Sequence, residues 1–338
     1  MTTSPLPRPP RQTSMPVPVR PANSVRRTSS VDVFWPTNDR NDRLFIGNAR
    51  DLVTLADGRP GEVLAEAHME AKLDAQKVIH AIQAQPSPEN LGKLVGQRAG
   101  GHLRRALQEL TPELLETGHP LYLPLDDLSG SALVSSVGWA AWDPDRAEHE
   151  HGNMSEKEIG KALAGRVDVC WGLKEGNSGT QTDGLTMAAV ADADAGDVRN
   201  PADPIGWHDF PDMEGAGFRR ARWIDVTRDE AAGMLRIDTG FQDSAKTADG
   251  GRVAVHEYSL TATADLDSLT MRELAASPHI LPFLECPGAV ANAQRMVGAR
   301  LDDFREAVLA QLRGTAGCTH LNDAMRALAE VPKLARSI

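Results

Sequence analysis

Two stretches of this 338-residue chain repeat the same order of features. The first is Leu55–Pro86, "LADGRPGEVLAEAHMEAKLDAQKVIHAIQAQP", and the second Thr247–Pro278, "TADGGRVAVHEYSLTATADLDSLTMRELAASP". Each has an Ala-Asp-Gly turn, an alternating run, a Leu-Asp turn and a short segment ending at proline, which reads as a hairpin of half-buried strands. The strands in front agree as well: "VRRTSSVDVFWP" against "FRRARWIDVTRD". Behind each repeat lies a helical stretch, Leu91–Leu110 and then Ala293–Leu312. Val297, Leu301, Phe304, Val308 and Leu312 fall at the three- and four-residue spacing of an amphipathic helix. After the helices "GHPLYLPLDDLSG" answers "GTAGCTHLNDAMRA". Repeated units of about 100 residues imply duplicated domains and not a solenoid of short units. The predicted fold is α+β: two tandem, duplicated units, each a small antiparallel sheet covered by helices.

The predicted organisation has four parts. Residues 1–24, rich in Pro, Ser and Arg, read as a disordered arm, because such a composition buries too little apolar surface to fold. Residues 25–130 form the first copy and 216–332 the second. Between them, 131–215 is an insertion with a short helix around "SEKEIGKALAG", ending in a linker through "DADAGDVRNPADP".

Hydrophobic residues make up 41 % of the chain and charged residues 25 %, the proportions of a soluble globular protein. A net charge of -11 argues against a nucleic-acid partner and against an anionic membrane, both of which call for clustered Lys and Arg. No apolar run is long enough for a membrane span and no secretory h-region opens the chain. Three scattered cysteines suit a reducing, cytoplasmic setting better than a disulfide framework. The Gly-rich run after Cys170 lacks the Gly-Lys-Ser/Thr end of a phosphate loop, so no nucleotide cofactor is expected.

The chemistry-bearing residues concentrate in the second copy. Alternation places His256 on the apolar face of its strand, near the position that Ala65 holds in the first. Cys286 precedes the second helical stretch, and Cys318 and His320 follow it; the corresponding "QPSPENLGKLVG" and "PLYLPLDDL" of the first copy contain neither Cys nor His. Thiolate and imidazole are the preferred ligands of zinc and other borderline-soft metals, in sets of three or four. Cys318, His256, Cys286 and His320 are therefore the candidate metal ligands, with zinc the expected metal. Three other readings stand beside this one. Cys286 and Cys318 form a redox pair, although no CxxC supports it. Cys318 is a nucleophile with His320 or His256 as its base, its pKa lowered by a helix start. Or all four are packing residues, as a lone histidine on an apolar face and a free cysteine usually are. His279 is a turn residue or an extra ligand, Cys170 a core residue, and Glu148–His151 a solvated loop.

"GCTHL" after a helix, with "VHEYSLTATAD" and a Pro- and Cys-bearing segment before it, resembles a bacterial family known as domain of unknown function 2889. The resemblance covers about 219–330 and places His256-Glu257, Cys286, Cys318 and His320 on the family's positions. It implies no function. A weaker likeness of pattern is to U-type iron–sulfur scaffold proteins, in which a Cys before a long helix and another heading the last one hold zinc or a cluster. Two function classes follow as expectations. The first is a metal-dependent enzyme acting on a small organic substrate in a pocket between the copies or over the sheet. The second is a protein without catalysis, either a sulfur-trafficking scaffold or one with structural zinc. Three protein ligands plus water would mark the first, a closed set of four a structural site.

Overall fold

The computed structural model describes residues 12–37, 39–182 and 193–338, with only the backbone of 148–151. Its strands are β1 (Ser24–Phe34), β2 (Arg43–Thr54), β3 (Pro60–Leu73), β4 (Ile79–Gln85), β5 (Ala193–Asp194), β6 (Gly217–Asp229), β7 (Met234–Lys246), β8 (Arg252–Asp265) and β9 (Met271–Ile280). The helices of the described residues are α1 (Gly101–Leu110), α2 (Pro112–Thr117), α3 (Tyr122–Val134), α4 (Ser136–Trp142), α5 (Pro144–Gly152), α6 (Glu156–Ala164), α7 (Phe304–Gln311), α8 (Thr319–Arg326) and α9 (Val331–Leu334). None of the helices is long and apolar enough to cross a membrane.

The α+β class is as read from the sequence, but the two small sheets are one. The strands run β4-β3-β2-β1-β6-β7-β8, and β8 then pairs with both β9 and the short β5. All pairings are antiparallel. The join is β1 on β6, in register from Ser24↔Thr227 to Phe34↔Gly217. Two separate sheets would each have left the hydrogen-bonding edge of its first strand open, and pairing those edges with each other removes both. Both Ala-Asp-Gly turns close hairpins as expected, with Gly58 at φ 81° between β2 and β3 and Gly250 at φ 89° between β7 and β8.

The long helix expected in each half is broken. Leu91–Leu94 and Cys286–Met296 wind as 3-10 turns, and the α-helix resumes only at α1 and α7. Between them Gly96 and Gly298 sit at φ 85° and 89°, which a continuing helix does not allow. Just beyond, Arg98 and Arg300 bridge back to the sheet at Val78 and Thr270. Val297, placed on the buried stripe by its spacing, is 40 % exposed as a result, whereas Leu301, Phe304, Val308 and Leu312 are buried.

All the helix-facing ends of the sheet's central strands carry charge. Arg27 forks onto Asp51 and reaches Glu330, which also pairs with Arg305. Arg220 forks onto Asp243 in the same manner and reaches Asp323 and Asp127, the second of which pairs with Arg222. Arg104 and Arg326 link Asp126 with Asp323. Apolar clusters flank this network, one under each half of the sheet. The network spans residues assigned to both copies, and α3 runs through the expected boundary at residue 130.

The opposite face of the sheet is covered by chain read as arm and linker. Met15 is buried with Val198, Trp207, Ala221 and Trp223. His208 is held between the hydroxyls of Thr28 and Ser30, and burial, then Arg50 and Arg219, push it down to about 3. Asp203, in the expected linker, pairs with Arg20 and Arg26. Glu257 faces this side, as alternation from His256 requires; it accepts hydrogen bonds from Ser14 Oγ, the Met15 amide and Gln242. The stretch 12–23 therefore supplies a core residue and the partners of a buried carboxylate, which its composition does not reveal. A chain beginning at residue 24 should be less stable than one beginning at residue 12 by about 2 kcal/mol or more, from the loss of Met15 burial and of hydrogen bonds to Glu257. Urea unfolding of the two checks this, and coincident curves would restore the reading of a dispensable arm.

Candidate functional site

His256 is the inward residue that the alternation of β8 demands, and the register sets it opposite Asp243 of β7. Arg220 of β6 lies opposite Asp243 on the other side. A matching line crosses the first half: Arg27 of β1 opposite Asp51 of β2, and Asp51 opposite Ala65 of β3. His256 and Ala65 thus occupy matching stations, as read from the repeat. His320 arrives from the helix layer. It is the second residue of α8, and Cys318 is the extended residue that precedes the helix.

The two imidazoles stack, their centroids 3.4 Å apart and their planes 15° from parallel. His256 Nδ1 is 3.4 Å from Asp243 Oδ2, and His320 Nε2 is 3.8 Å from the same oxygen. Burial holds both histidines below their ordinary range. His320 is lowered further by His256 and Arg220, against Asp243, and stands well below that range. Both rings are therefore neutral at pH 7 and carry free lone pairs. Burial alone would raise the Asp243 carboxyl, but Arg220, with both Nε and Nη2 at 2.8 Å, overrides it and holds Asp243 well below the carboxylate range. His256 Nδ1 is buried, and Asp243 Oδ2 at 3.4 Å does not complete a well-formed hydrogen bond to it.

Among the described residues, Asp243, His256 and His320 form a group of His, Cys, Asp and Glu side chains whose ligand atoms all lie within 4.8 Å of one another. Asp243 was missed in the sequence, although the signal was there: the repeated "RR" of the opening strands and an Asp at the matching place of the next strand, Asp51 and Asp243. The four candidates read from the sequence do meet, at the wall of one cavity. His256, Cys286, Cys318 and His320 line a space of about 290 Å³, together with Leu133, Val137 and Phe283. Neither thiol belongs to the close group with the histidines.

Cys170, read as a core residue, lines the same cavity, so all three cysteines of the chain converge there. Their thiols are protonated at neutral pH. Burial raises Cys318 despite its place before a helix and the hydrogen bond it accepts from Tyr258 Oη at 3.4 Å. Burial and then Cys318 and Cys170 raise Cys286; burial and then Cys318 push Cys170 up to about 11. The expectation that the helix start lowers the Cys318 pKa is corrected here, since desolvation outweighs it. His279 bonds Ser259 Oγ at 2.8 Å and is not part of the cavity wall. The side chains of Glu148–His151 lie outside the described residues.

No curated protein and no solved structure matches the chain, and the likeness to iron–sulfur scaffolds gains no support. One family model does match, over the residues that carry Asp243, His256, Cys286, Cys318 and His320: the segment 218–333 is similar to the family described as protein of unknown function (DUF2889).

Proposed function

We propose that this is a metal-binding protein whose site, on Asp243, His256 and His320, opens onto a pocket for a small organic molecule. The observation that carries the reading is the clustering of Asp243, His256 and His320, whose ligand atoms all lie within 4.8 Å of one another. Two neutral imidazoles packed against a buried carboxylate leave lone pairs facing one another, and a cation held by the same three side chains would offset that cost. Two neutral imidazoles and a carboxylate suit zinc first, and the same donor set suits ferrous iron. Three protein ligands leave coordination positions open, and an apolar cavity beside them gives a substrate somewhere to lie. That combination favours a metal-dependent enzyme on a small organic substrate over a closed structural zinc. A divalent metal there would polarise a bound oxygen or lower the pKa of a water. Asp243, fixed by Arg220, would hold the first ligand position rigidly, and the apolar wall would keep bulk water out.

We also infer that the halves descend from one duplicated unit, of which the first has lost the site. The matched Arg27–Asp51 and Arg220–Asp243 lines, the paired Gly58 and Gly250 turns, and the paired bridges after Gly96 and Gly298 support this. Ala65 and Pro124 stand in the first half where His256 and His320 stand in the second.

Metal analysis of the full-length protein, purified without chelator and then reloaded with Zn(II) or, anaerobically, Fe(II), tests the reading. About one metal per chain is expected. Protein that stays metal-free after both loadings would overturn it.

A further inference from the structure

A second cavity adjoins the first, and its chemistry is the reverse. It measures about 380 Å³ and shares Leu133, Val169 and Thr319 with the thiol- and imidazole-lined space. Its wall carries four cations, Lys77, Arg104, Arg313 and Arg326, against one carboxylate, Asp323. In a chain of net charge -11 this is a local inversion of sign.

We propose that the two cavities together take one kind of ligand, a small molecule with an apolar body and an anionic end, the body in the thiol-lined cavity and the anion among these cations. The inference rests on the reading of the apolar cavity as a ligand pocket. Several independent observations point to an anion. Among the described residues no carboxylate pairs with Lys77 or with Arg313. Lys77 is also crowded by charge of its own sign, since burial and then Arg98 and Arg43 act against its ammonium. Arg326 is buried, lines the cavity, and keeps its Nε without a hydrogen-bond partner. The ten-residue helix α1 opens on this cavity through Gly100 and Gly101, and no side chain caps its first turn. A Cβ at either glycine would meet nothing within 4 Å, so open space lies beside the helix start. An uncapped helix start beside unpaired guanidinium and ammonium groups favours carboxylate and phosphate alike.

Four probes separate the contributions: 1-octanol for the apolar body alone, octanoate and octyl phosphate for body plus anion, and inorganic phosphate for the anion alone. Their affinities are measured by calorimetry on the full chain, before and after metal loading. At least one of octanoate and octyl phosphate should bind about tenfold or more tightly than 1-octanol, the step a charge-assisted hydrogen bond supplies. Which of the two binds better identifies the anion. In the Lys77→Gln/Arg313→Gln double variant that preference should shrink to within about twofold, with metal content and thermal midpoint unchanged. The single Arg313→Gln variant, at an exposed side chain, should give an intermediate loss and serves if the double variant unfolds. Equal binding of octanol and both anions, no binding of either anion, or a preference that survives the double substitution would each overturn the proposal. Tight binding by inorganic phosphate with none by the octyl compounds would overturn the two-cavity reading. An anion preference without any metal would count against the metal reading alone.

Discussion

Arg220→Ala should lower stability by about 3–5 kcal/mol, the cost of leaving buried charge without its partner. The side chain is 1 % exposed and stands between Asp243, Asp323 at 3.2 Å and Asp127 at 3.5 Å. Burial opposes its charge, and these carboxylates more than restore it, so the guanidinium stays protonated at every accessible pH. Without it Asp243 loses its guanidinium partner, while Asp127 keeps Arg222 and Asp323 keeps Arg104 and Arg326. The thermal midpoint should fall by roughly 4–7 °C. Arg220→Lys should fall between the variant and the native protein, because an ammonium keeps the charge but cannot reproduce the fork onto Asp243. Gly130 is bound up in the same arrangement: a Cβ there would sit 1.8 Å from Arg220 Nη1, so Gly130→Ala should disturb the network from the helix side. The exposed pair Arg236–Asp229 is the control, and Arg236→Ala should stay within about one degree of the native midpoint. Equal midpoints for Arg220→Ala and Arg236→Ala would mean that the network does not hold the halves together.

His320→Ala should weaken metal binding by about 100-fold or more, since even the loss of an outer-shell partner costs 10–100-fold. The substitution removes a ligand and the ring that stacks on His256, but leaves the Arg220–Asp243 fork untouched. Cys286→Ser and Cys318→Ser should change the affinity by no more than about threefold, because neither thiol belongs to the close ligand group. Competition with a chromogenic chelator measures all three. His320→Gln, closer in shape, replaces the alanine variant if that one unfolds. The opposite order, a cysteine variant that releases the metal and a histidine variant that retains it, would move the site to the thiols.

Much of this site was legible in the sequence, and the reasons differ from residue to residue. The inward face of His256 followed from strand parity alone, since a one-residue error would have put it beside Glu257 on the other side of the sheet. The glycine turns followed from residues that tolerate positive φ. The candidacy of His256, Cys286, Cys318 and His320 followed from their concentration in one half of the repeat, whereas their place on one cavity wall is visible only in the fold. Asp243 did not emerge, because an Asp in a strand reads as a solvated residue until the Arg opposite it is known. The single sheet did not emerge either. Local periodicity says which face of a strand is buried but not which edges pair, and only β1 on β6 decides between one sheet and two. The packing of 12–23 turns on one methionine and a few hydrogen bonds, which composition averages away.

The central claim is that Asp243, His256 and His320 hold the metal. X-ray absorption at the zinc edge of the zinc-loaded, full-length protein addresses it most directly, because sulfur and nitrogen or oxygen ligands lie at separable distances. The arrangement of the site predicts a shell of nitrogen and oxygen alone at about 2.0–2.2 Å, with the outer-sphere pattern of two imidazoles. A sulfur shell at about 2.3 Å would place Cys286, Cys318 or Cys170 on the metal and contradict the assignment.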